Sequence, residues 1–274
     1  MKKILFHNLT LSYLFLLITS TFVYCEERVV GLSPSMEGNK FLESSKDQSD
    51  QFSDTQESKS GTKSNLNALV TPLRAEEILN FWFGILTHPS DLPTNKLPVW
   101  LGNNPRVDEY IKDHFFQDLQ MARRGELNEW RLTPRGRLAL IIILDQFTRR
   151  IYPGQLQSIS SDGMARGLVL EGIRKKDDEK LFPIERAFFY LPLEHSEDLE
   201  MQNLAIYSYE KLLAQSPLTL KPAIQKFLNF AWFHQKQIAL FGRFPHRNAM
   251  LGRQSTPDEL LFLEQFKYNS SNQI

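Results

Sequence analysis

The sequence predicts an all-α protein: a single domain of about eight packed, antiparallel helices. From residue 66 onward, apolar residues recur at the period of a helix, and helix-capping residues precede several of these runs. No run alternates between apolar and polar residues as a half-buried strand would. The connections between runs are mostly short, which favours antiparallel packing of consecutive helices.

Apolar spacing places the helices in order along the chain. The first half of the domain holds predicted helices at Arg74–Leu86, Asn104–Arg124, Thr133–Arg149 and from Ser161 into the charged run Arg174–Lys180. The second half holds predicted helices from Pro183 to about Leu191, from Ser196 to about Ala214, from Leu220 or Pro222 to Phe241, and from Thr256 onward. These segments together define a helical domain over residues 66–274.

Capping residues support several of these boundaries. Gly125 is placed to stop the second helix, and Thr133, followed by proline, begins the third. Pro192 is expected to end the fifth helix, after which Ser196 can cap the sixth. The segment Thr256–Glu259 has the pattern of a capping box, with proline at the first helical position of the last helix.

Two segments of different character precede the helical domain. Residues 1–25 carry lysines followed by an uncharged, mostly apolar run, Leu9–Tyr24, which is typical of a signal peptide or membrane anchor. We therefore expect export or membrane anchoring, and cleavage, retention and lipid attachment at Cys25 all stay open. Residues 26–65 are polar and aperiodic, so we expect a disordered tether.

Composition excludes several classes of protein. Lys plus Arg equals Asp plus Glu at 32 each, so the basic surface of a nucleic-acid-binding protein is not expected. Cys25 is the only cysteine, which rules out an intrachain disulfide and a cysteine-based metal site. A metal site built from His195, Glu197 and His246 matches no known ligand spacing, so we predict neither a metal nor a cofactor.

Two charged residues fall on an apolar helix. Asp145 and Arg149 share a narrow stripe with Leu138 and Ile142, and the other faces of this helix are also apolar. A helix that is apolar all round is buried, so both side chains should face inward and pair at their i,i+4 spacing. The pair is either a structural ion pair or part of a pocket lining.

Histidines supply further candidate site residues. His234 lies in the middle of an apolar stripe, so we expect it to be buried and to have a polar partner among Asp145, Gln202 or the segment 243–248. It is either a satisfied core residue or a site residue. His195 lies between two helices where capping does not explain it, and Gln202 shares an apolar stripe that faces the same interior.

The segment Phe241–Glu259 (FGRFPHRNAMLGRQSTPDE) is the most site-like part of the chain, because cationic and amide side chains follow one another within a short, proline-braced connection. We predict that Arg243, His246 and Arg247 converge with His195 on one concave site. Their charges must then be neutralised by carboxylates, among them Asp145, Glu194, Glu197 and Asp198, or by a bound anion.

Three motifs make the chain resemble a known family. DQF-x-R at Asp145–Arg149, LPLEHSEDLEMQ at Leu191–Gln202 and the segment Phe241–Glu259 are similar to the mainly bacterial domain-of-unknown-function family 924. The resemblance spans about Leu73–Phe266 and implies a right-handed helical array like that of tetratricopeptide repeats. It implies no activity. The chain departs from the family pattern around the DQF arginine, at Thr148, Arg150 and Pro153.

These observations lead to one functional hypothesis and two alternatives. The first is a helical binding domain at or beyond the bacterial inner membrane, on its periplasmic side, with a pocket for a small anionic ligand or peptide carboxylate. The pocket would be lined by Asp145, Arg149, His195, Gln202, His234, Arg243, His246 and Arg247.

The alternatives assign the same residues differently. In the first, the protein is a hydrolase-like enzyme in which His195 or His246 is a general base oriented by Glu197 or Asp198. Arginines of the C-terminal segment would then stabilise an oxyanion. In the second alternative the cluster only locks the last helices together, and the domain is a scaffold for protein–protein interaction.

Overall fold

A computed structural model describes residues 71–100 and 104–271 of the chain, with side chains up to residue 265. The predicted signal or anchor segment and the predicted tether lie outside the described residues. In the part that the structure describes, no helix is both long enough and apolar enough to cross a membrane.

Every regular element in these ranges is helical, so the prediction of an all-α domain is confirmed. The helices are α1 (Leu73–Phe83), α2 (Leu97–Trp100), α3 (Pro105–Arg123), α4 (Pro134–Ile141), α5 (Asp162–Arg174), α6 (Pro183–Glu194), α7 (Leu199–Gln215), α8 (Lys221–Phe241) and α9 (Pro257–Ser271). Helix α4 continues without a break through a π-helical segment, Ile142–Phe147, into a final α-helical turn, Thr148–Ile151. The tetratricopeptide-repeat-like arrangement of these helices stays a prediction.

Local capping chemistry explains several of the observed boundaries. The Thr133 hydroxyl accepts a hydrogen bond from the backbone N–H of Gly136 at 3.1 Å and so caps α4. The predicted capping box of α9 is present, since the Glu259 carboxylate accepts from the N–H of Thr256 at 2.8 Å while the Thr256 hydroxyl accepts from the N–H of Glu259 at 3.2 Å. Gly84, with φ 75°, ends α1 before the predicted Leu86.

Two of the predicted boundaries between α6 and α7 were wrong. Pro192 lies inside α6, which continues to Glu194, because a helix buried along its length gains enough from packing to tolerate one missing hydrogen bond. The cap of α7 is Asp198, not Ser196, and its carboxylate accepts from the N–H of Glu200 at 2.8 Å. A carboxylate is favoured at this position by the positive helix N-terminus.

The core is built around α6, whose residues from Ile184 to Glu194 are all buried. Aromatic rings join α6 to the first helices: Phe188 meets Trp82 with ring centroids 5.7 Å apart, and Trp82 meets Phe147 at the same distance. Each such ring contributes about 2–3 kcal/mol by burial. Because the π-helical segment and the C-terminal end of α6 both belong to this core, the polar residues on them lie inside the domain.

Candidate functional site

The site begins at the π-helical segment that follows α4. Asp145 lies in this segment with no exposed surface, and the Thr148 hydroxyl donates to the carbonyl of Ile143 at 3.2 Å. π-Helical turns inside α-helices are frequent at functional sites, where the extra residue per turn re-aims a side chain. The sequence predicted a regular helix here and gave no sign of the wider turn.

Asp145 is held by groups that all favour its charged form. Its Oδ1 lies 2.7 Å from Nδ1 of His195 and 3.1 Å from Nη1 of Arg149, while Gln146 Nε2 donates to Oδ2 at 2.5 Å. Burial would raise the pKa of this carboxyl, but the charge of Arg149 and the contact with His195 outweigh it and lower the pKa to about 2. The predicted ion pair between Asp145 and Arg149 is therefore present.

His195 completes the Asp145–His195 pair. An ionised carboxylate only accepts hydrogen bonds, so the Nδ1 of His195 must carry the proton that it donates to Asp145. In the neutral imidazole, Nε2 is then the nitrogen with the free lone pair. No described residue forms a hydrogen bond with that Nε2.

A second carboxylate–histidine pair lies beside the first. His234 Nδ1 is 3.1 Å from Glu194 Oε2, and the rings of His234 and His195 have centroids 6.4 Å apart. His234 is buried as expected, but its partner is Glu194 and none of the predicted residues. Burial lowers the pKa of His234 despite the opposing contact with Glu194, which favours the neutral ring.

Arg247 approaches the same place from the C-terminal segment. Its guanidinium carbon lies 4.7 Å from the ring centroid of Phe244, and that ring packs edge-on against His234 at 5.4 Å. The side chain is buried, and the nearest carboxylate oxygen is Asp162 Oδ2 at 3.7 Å. Within the described residues the guanidinium donates no hydrogen bond. Burial and the charge of Arg149 lower its pKa to about 10.

Several buried polar atoms around Arg247 also have no hydrogen-bond partner among the described residues. They include Asp162 Oδ2, Glu194 Oε1 and Gln202 Oε1. Asp162 Oδ1 and Arg149 Nη2 lie 2.9 Å apart as an ion pair, so each of these two atoms has the other as its partner. Buried polar atoms without partners cost free energy, so this concentration marks a place suited to polar ligand atoms.

We call this group the polar cluster. It consists of Asp145, Arg149, Asp162, Glu194, His195, His234 and Arg247.

The C-terminal segment is fixed in place by Glu197. One oxygen of its carboxylate accepts from the backbone N–H of Phe244 at 2.8 Å, and Arg253 donates to both oxygens at 2.6 and 2.8 Å. Gly242, with φ 69°, ends α8 in the left-handed conformation that lets the chain reverse. Glu197 therefore ties the segment to the start of α7 and presents Phe244 and Arg247 to the cluster.

The other predicted site residues lie apart from the polar cluster or support it. Arg243 turns toward α9 and pairs with both oxygens of Glu259 at 2.6 and 2.9 Å. Gln202 donates to the carbonyls of Glu194 and Ser196 at 2.6 and 2.7 Å and so secures the end of α6.

His246 stands at the edge of the cluster. Its side chain is exposed, and its ring centroid lies 5.4 Å from that of Phe244. No carboxylate orients it, so it lacks the support that His195 receives from Asp145.

The hypothesis that Glu197 or Asp198 orients a catalytic histidine was wrong. Glu197 is occupied by Arg253 and the backbone of Phe244, and Asp198 caps α7. The carboxylates that contact histidine rings are Asp145, at His195, and Glu194, at His234. In the described ranges no three His, Cys, Asp or Glu side chains form a group that could hold a metal ion.

Sequence reasoning missed Asp162, and it named Glu194 only as a carboxylate that could neutralise the arginines. Asp162 looked like part of a helix start, where an acidic residue is usually explained by the helix dipole. Glu194 immediately precedes His195 at the end of α6. The side chains of both residues point into the domain because this end of the helix is buried on all sides. No sequence pattern distinguishes such an end from an exposed one.

The fold and the site define an all-helical domain protein with a buried cluster of paired carboxylates, imidazoles and guanidiniums. The chain belongs to the bacterial family of proteins of unknown function DUF924, whose model matches residues 78–266. It is also similar to the solved structure of a protein of unknown function from Agrobacterium tumefaciens. The two share 31% identity with a TM-score of 0.60, over 70% of this chain and 97% of that chain. A comparison with curated proteins found no match.

Proposed function

We propose that the domain binds a small anionic ligand, through a carboxylate or phosphate group, at Arg247. The observation that carries this proposal is a buried guanidinium that donates no hydrogen bond within the described residues and has its nearest carboxylate oxygen at 3.7 Å. A guanidinium presents planar N–H donors that match carboxylate and phosphate oxygens. The nitrogens of Arg247 are not among the enclosed atoms without a partner, so they are open to a ligand, and a bound anion would supply the hydrogen bonds that Asp162 at 3.7 Å does not.

The neighbouring arginines do not need a ligand in this way. Arg149 pairs with Asp145 and Asp162, and Arg253 pairs with both oxygens of Glu197. Arg243 is likewise satisfied by Glu259. Arg247 is therefore the group in the cluster whose hydrogen-bonding capacity remains available.

The charges of the cluster limit the strength of binding. The carboxylates of Asp145, Asp162 and Glu194 outnumber the guanidiniums of Arg149 and Arg247 when the imidazoles are neutral. The site therefore has no net positive charge that would attract anions in general. Recognition would depend on the geometry of the Arg247 donors, so we expect a small ligand held with modest affinity.

Thermal unfolding of the full chain tests the proposal, with phosphate, acetate and succinate added at constant ionic strength. A ligand that binds only the folded state at 100 times its Kd adds about 2.7 kcal/mol, or a rise in Tm of about 5–10 °C for a domain of this size. Arg247→Met should abolish the rise. Arg174→Met, which replaces an exposed arginine of α5, should retain it.

A wild-type Tm that none of these anions raises would rule out the proposal and favour the scaffold alternative. Sodium chloride at matched ionic strength separates specific binding from screening of surface charges.

The proposal includes a location for the domain. The apolar run Leu9–Tyr24 and the polar segment 26–65 support export, or anchoring at the inner membrane with the domain on the periplasmic side. Fractionation of cells that express the chain with and without residues 1–25 tests this. Recovery of both forms in the same fraction would contradict it.

A further inference from the structure

Beside the anion site lies a histidine with the surroundings of a proton acceptor. We propose that His195 is a general base that activates water to hydrolyse an ester bond in a ligand whose acid group is held by Arg247. This inference rests on the proposed function, because Arg247 anchors the substrate. The substrate class is a half-ester of a short dicarboxylic acid, with a free carboxylate at one end and an ester at the other.

The first support is the fixed orientation of the Asp145–His195 pair. Asp145 accepts a hydrogen bond from His195 Nδ1 at 2.7 Å, Gln146 Nε2 donates to its other carboxylate oxygen at 2.5 Å, and Arg149 Nη1 lies 3.1 Å from Oδ1 as an ion pair. A carboxylate held in this way sets the tautomer of the imidazole and stabilises the imidazolium that forms when Nε2 takes a proton. The arrangement leaves the Nε2 lone pair directed away from Asp145.

The other histidines meet these requirements less well. His234 lies farther from its carboxylate, at 3.1 Å, and one oxygen of that carboxylate, Glu194 Oε1, is buried without a partner. His246 is exposed and has no carboxylate partner among the described residues. Of these three histidines, His195 is the one whose orientation is fixed most completely.

Proximity to the anion site follows from a chain of ring contacts. Arg247 stacks on Phe244 at 4.7 Å, Phe244 meets His234 at 5.4 Å, and His234 meets His195 at 6.4 Å between ring centroids. Charged contacts also join the two groups: Arg247 lies 3.7 Å from Asp162, Arg149 pairs with both Asp162 and Asp145, and Asp145 contacts His195. A half-ester of a short dicarboxylic acid carries both an acid group for Arg247 and an ester carbonyl for a water on His195.

The nucleophile must be water. No described serine, threonine, cysteine or tyrosine forms a hydrogen bond with His195, so no side chain is placed to form a covalent intermediate. The water oxygen bonds to the ester carbonyl carbon while its proton passes to Nε2 of His195. The tetrahedral intermediate then collapses, the bond to the alcohol oxygen breaks, and that oxygen takes the proton from Nε2. Ester and water give acid and alcohol.

Hydrolysis of mono-4-nitrophenyl glutarate by the full chain tests the inference. The neutral ester 4-nitrophenyl butyrate is the comparison substrate. We expect kcat/KM for the anionic ester to exceed that for the neutral ester by about tenfold or more, since only the former binds Arg247. Arg247→Met should raise KM and remove this preference.

His195→Asn isolates the base. The asparagine amide can still donate to Asp145 from the position of Nδ1, but it has no equivalent of Nε2. We expect kcat to fall about 100-fold or more, while KM and the phosphate-induced rise in Tm stay unchanged. His114→Asn is the matched control, because surface histidines can hydrolyse nitrophenyl esters unspecifically and His114 is exposed on α3.

The outcomes separate this inference from the proposed function. A wild type that shows the phosphate-induced rise in Tm but hydrolyses the anionic ester no faster than buffer overturns the catalytic inference alone. Equal rates for wild type and His195→Asn also overturn it. Loss of the rate in His195→Asn with an unchanged rise in Tm supports it. Absence of both hydrolysis and the rise in Tm overturns both proposals.

Discussion

Replacing Arg247 by methionine distinguishes a ligand-binding arginine from a structural one. Burial and the neighbouring Arg149 lower the pKa of the guanidinium from 12.5 to about 10. At about 1.4 kcal/mol for each pKa unit, the charge destabilises the folded, ligand-free domain by about 3 kcal/mol. Methionine fills a similar volume without a charge, but it loses the contact with the Phe244 ring, which is worth about 1–2 kcal/mol. We expect a net stabilisation of about 1–2 kcal/mol.

The same substitution at Arg149 should have the opposite sign. Arg149→Met would leave Asp145, which has no exposed surface, without its cationic partner. Removing one member of a buried ion pair costs about 3–5 kcal/mol. A change of 1 kcal/mol moves the Tm of a domain of this size by about 2–4 °C. We therefore expect Arg247→Met to raise the Tm by about 2–8 °C and Arg149→Met to lower it by about 6–20 °C.

The Tm of both variants and the wild type is measured by calorimetry, and the free energy of unfolding by denaturant titration, in a buffer free of phosphate and carboxylates. A fall in Tm for Arg247→Met comparable to that for Arg149→Met would refute the reasoning. It would mean that Arg247 stabilises the fold through its charge. The polar cluster would then be an internal ion-pair network.

Two further predictions concern packing and pH. An added Cβ at Gly172 would lie 2.5 Å from Phe189 and 2.7 Å from Arg137, whereas at Gly167 of the same helix it meets nothing within 4 Å. In urea unfolding, Gly172→Ala should therefore cost about 1–3 kcal/mol and Gly167→Ala should gain about 0.5–1 kcal/mol; equal effects would contradict the packing of α5. Burial lowers the pKa of His234 from 6.5, so below about pH 6.5 the unfolded state binds more protons and stability falls as pH falls. His234→Gln should make the fall of the free energy of unfolding with pH shallower between about pH 6.5 and 5. If urea unfolding at each pH gives the same dependence on pH for the variant and the wild type, His234 does not contribute to it.

The helical class and most helix limits could be predicted from local sequence. Thr133 and the segment Thr256–Glu259 cap helices where their side-chain chemistry indicated. Such features depend on contacts within one turn, which the order of residues specifies directly. The π-helical segment and the passage of α6 through Pro192 escaped prediction, since both depend on packing in the core rather than on local preference.

Most members of the candidate site were predicted, but only one of its pairings, that of Asp145 with Arg149, was predicted. The inward direction of Asp145, Arg149 and His234 follows from apolar stripes, which a helical period reveals without any knowledge of neighbouring helices. Residues in a turn follow no helical period, so the sequence does not show where an arginine side chain in a turn points. Arg243 and Arg247 lie in the same short connection, yet Arg243 pairs with Glu259 and Arg247 enters the polar cluster.

The sequence by itself determined an all-helical domain, the burial of its polar stripes and the family to which it belongs, because these depend on periodicity and on motifs within short segments. Tertiary structure alone decided which carboxylate meets which histidine. Asp145 and His195 are separated by 50 positions, and Glu194 and His234 by 40. Pairs at such separations form only when helices pack, and the packing of many apolar side chains sets their geometry to within ångströms.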